Sequence, residues 1–112
     1  QEQEYSRLID TANAPIFGVD MDGRVNVWNQ HASKVVGFTA AETFGRPFVD
    51  DFITEDFRAW VQEVLDKALR GEETANFQLP LMTKNGTRVE ILLNATTRKD
   101  AEGRVIGVVG IG

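Results

Sequence analysis

The sequence predicts an α+β domain: a five-stranded antiparallel sheet with small helices and one long helix on one face, plus an amphipathic helix at the N-terminus. Three observations predict it. Between residues 54 and 70, Phe57, Trp60, Val61, Val64, Leu65, Ala68 and Leu69 recur at the spacing of a helix that buries one face. Downstream, two stretches that alternate apolar and polar residues and a third that is apolar on both faces are divided by Lys84-Asn85-Gly86 and by the polar run 99–103, which reads as a meander of strands. Upstream, the apolar run 16–20 and the alternating run 24–28 flank Asp22-Gly23, a hairpin signal.

In chain order, Tyr5, Leu8, Ile9 and Ala12 fall at i, i+3, i+4 and i+7, one stripe of a helix that Pro15 stops. The first hairpin follows. Asn29 then caps a short helix that Gly37 ends. Thr39 starts a second with Glu42 three residues on, a capping box that satisfies two orphan backbone donors. Residues 48–53 form one more helical turn. In the long helix, Thr54 is placed to cap, Glu55 and Asp56 suit the positive end, Lys67 and Arg70 the negative end, and Gly71 the stop. Residues 72–83 put Phe77, Leu79 and Leu81 on one strand face, and residues 87–98 do the same with Val89, Ile91, Leu93 and Ala95. Pro80 has no N–H for a ladder, so its strand belongs at an edge. The last strand, with Val105, Ile106, Val108, Val109 and Ile111, is apolar on both faces and belongs in the middle, its second face covered by the N-terminal helix or a second copy.

Composition narrows the function. The 112 residues make one domain, with 42% hydrophobic and 26% charged residues. A net charge of −5 argues against nucleic acid and anionic membrane surfaces as partners. The absence of Cys excludes disulfides, thiolate catalysis and cysteine metal sites. No apolar run approaches the roughly 20 residues that span a bilayer, and no signal-peptide pattern opens the chain, so a cytoplasmic location is expected. Hydrolase and phosphate-loop motifs are absent, and with His31 as the single histidine a non-enzymatic domain is expected. His31 reads as a solvent-facing or cap-adjacent residue, since nothing is spaced to join it as a metal ligand. The pairs Asp50-Asp51 and Glu55-Asp56 read as a solvated rim and a helix N-terminus.

The segments G-V-D-M-D-G-R-V-N-V-W-N, G-F-T-A-A-E-T-F-G-R-P, N-G-T-R-V-E-I and D-A-E-G-R-V-I-G-V-V-G, in that order, resemble the motifs of the PAS domain family over essentially the whole chain. The stretch R-L-I-D-T-A-N-A-P-I-F-G-V-D is similar to PAS domains attached to plant-type phytochromes and related sensor kinases. The resemblance implies a flanking helix over residues 1–14 and a PAS domain over 15–112, with the second strand at one sheet edge and the third at the other. The light-sensing flavin subfamily carries a Cys where Phe48 stands, an Asn where Pro47 stands, and polar flavin contacts where Leu81, Ile91 and Gly112 stand. Haem-binding members carry an axial His in the long helix, where this sequence has none. No cofactor is therefore expected.

Two functions follow from the resemblance. The first is a non-catalytic sensory and interaction module of a larger signalling protein, a kinase or other multidomain regulator, acting by homodimerisation and relay to a fused effector. The alternative is a sensor that binds an apolar or amphipathic molecule between sheet and helices. Phe38, Phe44, Phe48, Phe52, Phe57, Trp60, Phe77, Leu79 and Ile91 are expected to point inward as pocket or core, and so many large side chains leave little room for a ligand. Tyr5, Leu8, Ile9, Leu92 and Val105 are expected to line the dimer interface through the N-terminal helix and the outer sheet face.

Overall fold

A computed structural model describes residues 8–9, 11–72 and 74–112. The strands are β1 (Ile16–Asp20), β2 (Val25–Trp28), β3 (Thr74–Met82), β4 (Arg88–Lys99) and β5 (Val105–Ile111), joined antiparallel in the order β2-β1-β5-β4-β3. Helices α1 (Gln30–Val36), α2 (Ala40–Thr43), α3 (Phe48–Phe52) and α4 (Arg58–Leu69) lie between β2 and β3 in sequence. Pro80 stands on an edge strand and β5 at the centre, as their chemistry requires.

Local signals account for most boundaries. Asn29 Oδ1 accepts from the Ala32 N–H and caps α1, and Gly37 ends it at φ 92°. Thr39 and Glu42 close a capping box on α2. Two turns are built alike: in D-M-D-G-R and D-A-E-G-R, the leading Asp20 or Asp100 accepts through Oδ1 from the N–H two and four residues on.

The long helix differs from its sequence reading. A 3₁₀ turn, Glu55–Phe57, precedes α4, and Thr54 makes no side-chain cap. The buried Thr54 is pinned to the edge strand instead: its N–H donates to the Pro80 carbonyl at 3.3 Å. The helix buries Val61, Val64, Leu65 and Ala68. Trp60, expected inside, is 43% exposed because it lies one position off that stripe, resting edge-on against Phe77 at 5.7 Å. Phe44, also expected inside, is 51% exposed. It ends α2, donating its N–H to the Ala40 carbonyl, and the chain turns outward at Gly45, φ 82°. At the N-terminus Leu8, Ile9 and Thr11 are helical, while Tyr5 lies outside the described residues.

Candidate functional site

Two surfaces of the sheet are candidates: the inner one under the helices and the outer one. The inner side is filled. Phe17, Trp28, Phe38, Phe48 and Phe52 form a chain of ring contacts with centroids 5.0–6.4 Å apart. The Trp28 indole N–H donates to the Phe38 carbonyl at 2.9 Å, so the one polar atom of that cluster is satisfied. Phe48, Phe52, Phe77 and Leu79 are buried, Phe38, Phe57 and Ile91 half-buried. What remains between sheet and α4 is a cavity of about 30 Å³ lined by Phe17, Phe48, Val61, Leu65, Leu93 and other apolar groups. That is near the size of one water molecule, and the lining offers a water few hydrogen bonds. Phe48, Phe52 and Leu81 are buried in this interior.

The outer side carries a second, smaller apolar cluster. Ile16, Val27 and Val109 are buried there, covered by Ile9 and Ala12 of the N-terminal segment. The covering is fastened by Asn29, 1% exposed. Its oxygen accepts from the N–H of Ile16 as well as Ala32, and its amide nitrogen donates to the carbonyls of Ile9 at 2.9 Å and Ala14 at 2.8 Å. All the capacity of this buried carboxamide is used. Sequence reading found the cap and missed the fastening, because the two carbonyls lie 20 and 15 residues away and no side chain marks them.

Around this cluster Leu8 is 65% exposed, Leu92 58% and Ile111 48%. Of the expected interface residues, then, Leu8 and Leu92 are free surface, Ile9 and Val105 are half-buried within the chain, and Tyr5 is outside the described residues. His31 is half-buried, its Nδ1 without a hydrogen-bond partner. Among the described residues no group of His, Asp or Glu is placed to hold a metal ion, and no helix is long and apolar enough to cross a membrane.

This architecture, five antiparallel strands in the order 2-1-5-4-3 with α1 to α4 placed between β2 and β3, is that of the PAS fold. The sequence matches the family described as PAS fold over residues 3–112, and the chain belongs to that family, a non-catalytic sensory and signalling domain. Among curated proteins it is 37% identical over 114 residues to phytochrome B-2 of Glycine max, covering 98% of this chain and 10% of that protein. It is 40% identical to phytochrome 1 of Physcomitrium patens, covering 97% and 10%. The chain thus spans about a tenth of the length of these relatives. Among solved structures, the PAS domain of a protein from Colwellia psychrerythraea superposes with a TM-score of 0.83 at 15% identity, covering 98% of this chain and 92% of that one. A domain of a sensory box sensor histidine kinase/response regulator from Geobacter sulfurreducens gives 0.77 at 22%, covering 99% and 91%. A LOV protein of Rhodobacter sphaeroides gives 0.79 at 16%, covering 99% and 66%.

Proposed function

We propose that this PAS domain works as a pairing and relay module of a longer signalling protein, rather than as a receptor for an internal ligand. One observation carries the reading: the inner side is filled down to a cavity of about 30 Å³, while the outer sheet face keeps Leu8, Leu92 and Ile111 exposed beside a covered apolar cluster. A pocket for even a modest ligand occupies several hundred Å³. Apolar side chains grouped on one sheet face are the usual mark of a contact with another chain. A homodimer through this face would leave the helical side untouched, and a change in how two copies pair would be a two-state element for a fused effector. The similarity to segments of phytochromes and to a sensor histidine kinase domain supports a place beside such an effector.

The test is analytical ultracentrifugation of the chain and of Leu8→Glu with Leu92→Glu, both at exposed positions that spare the core. A dimer at micromolar concentration that the double variant converts to a monomer is the expected result. A parent that stays monomeric at high micromolar concentration, or a variant that pairs as well as the parent, overturns the reading.

A further inference from the structure

We infer that the open half of edge strand β3, with the aromatic groove beside it, receives an extended strand from a partner polypeptide, uncharged where it pairs and basic at its flanks. The groove takes in Leu92 from the outer face, but the strand edge it flanks is distinct from the outer-face contact proposed above, and the inference stands without that contact.

The inference begins with the backbone. Strand β2, the other edge, is engaged by the chain itself: the Val25 N–H donates to the Arg46 carbonyl at 3.0 Å, and the Gly45 N–H to the Val25 carbonyl at 2.9 Å. Among the described residues, strand β3 is engaged on its open side only at its far end, where Ile53 bridges Leu81 and the Thr54 N–H meets the Pro80 carbonyl. That bond shows that Pro80 turns its backbone groups away from β4. Gln78, two residues earlier on a continuous ladder, turns its N–H and C=O the same way, and no described residue pairs with them. An added strand can take the place of water on such groups and pair with them in register.

Natural edges are guarded by lysines, prolines or bulges. From Thr74 to Met82 this strand has no charged residue, its single proline sits in the half already engaged, and its one register shift against β4 falls between Thr74 and Phe77, before the regular ladder that carries Gln78. Beside the open half lies a groove of about 720 Å³ lined by Asp56, Phe57, Trp60, Phe77, Gln78 and Leu92. Trp60 is its exposed wall, held edge-on by Phe57 at 6.4 Å and Phe77 at 5.7 Å, a pre-set platform for a large side chain of an added strand.

Charge states the rest of the partner's chemistry. Uncharged residues on β3 give a charged strand nothing to pair with in register. Around the groove the acids Glu55, Asp56, Glu63 and Glu90 outnumber the cations Arg58, Lys67 and Arg88, of which Arg58 donates to the Ile53 carbonyl, Lys67 lies against Glu63, and Arg88 lies against Asp56 and Glu90. Basic flanks are therefore favoured and acidic ones repelled.

The experiment titrates the chain into a dye-labelled synthetic peptide of alternating threonine and valine, with a central phenylalanine and paired lysines at both ends. A second peptide carries glutamates in place of the lysines. Saturable binding of the lysine peptide is expected by fluorescence anisotropy, at least about tenfold weaker for the glutamate peptide. Gln78→Pro removes one outward N–H that the fold does not use, and Trp60→Ala removes the platform. Each should weaken binding by about tenfold or more, and having both keeps the test open if one variant does not fold. Leu8→Glu should leave binding unchanged, which separates this site from the outer-face contact. Absence of saturable binding, equal binding of both peptides, or undiminished binding by folded Gln78→Pro overturns the inference. So does self-association that Gln78→Pro abolishes, which would give the edge to a second copy.

Discussion

Phe52 and Trp60 are both large aromatics at positions that read as core, yet only one holds the domain together. Phe52 is fully buried, touches the rings of Trp28, Phe38 and Phe48, and lies 4.9 Å beneath the Arg46 guanidinium. Phe52→Ala should cost about 3–5 kcal/mol, because the rings around it cannot collapse into the space left. Trp60→Ala should cost about 1 kcal/mol, the scale of a partly exposed edge-on ring pair. Urea denaturation of both variants measures the contrast; equal losses would mean that Trp60 packs inside after all. The difference was not legible in the sequence. A 3.6-residue period shows that a helix has an apolar face, but not where that face ends, and counting Trp60 into the stripe of Phe57, Val61, Val64, Leu65 and Ala68 widened it by a position. Asn29 was half legible: a cap is written within three residues, whereas its donation to Ile9 and Ala14 depends on where the fold brings those carbonyls.

Among the elements, the β3–β4 turn is latched to the end of α1 and to α2. The Lys84 N–H donates to the Val36 carbonyl at 2.9 Å, and its ammonium meets the Glu42 carboxylate that also closes the capping box. The Lys84 hydrogen bond, helped by the Thr39 backbone N–H, holds the Glu42 carboxyl below its ordinary value of 4.5. A lowered carboxyl stabilises the fold above the unfolded-state value and loses that contribution as pH falls through the folded-state value. Lys84→Met should therefore be less stable than the parent at pH 7, with the gap closing as pH falls through the lowered Glu42 value and the carboxyl takes its proton. Both groups are exposed, so the gap is small and should shrink with salt. Thermal melts across pH and salt check it; a gap that persists at pH 3 would assign the loss to packing of the lysine stem. The turns, caps and strand ends were legible at this scale because each is decided by near neighbours. The helix start at Thr54 was not, since the competing partner, Pro80, is 26 residues on.

Across the whole molecule, β5 joins two halves of the sheet, pairing with β1 on one side and β4 on the other. The close approach on the β1 side depends on glycine: a Cβ at Gly107 would fall on the Val19 carbonyl oxygen, backbone that cannot step aside. Gly107→Ala should lose about 3 kcal/mol, while Gly23→Ala, in open space at φ 78°, should lose about 1–2 kcal/mol from left-handed strain alone. Differential scanning calorimetry ranks the two; the reverse order would show that β1 and β5 can separate to make room. That β5 is central was legible from valine and isoleucine on both faces, and that β3 is an edge from Pro80.

The central place of β5 also sets an order of events during synthesis. The β1–β2 and β3–β4 hairpins leave a ribosome with their inner edges, β1 and β4, unpaired, and neither can dock on the other until residues 105–111 have emerged between them. The strand made last of the five is the one on which every earlier strand depends for a continuous sheet. Until then the apolar faces of both hairpins lack a complete sheet to pack in, and exposed apolar surface is what draws chaperones and other nascent chains. Closure comes late and all at once.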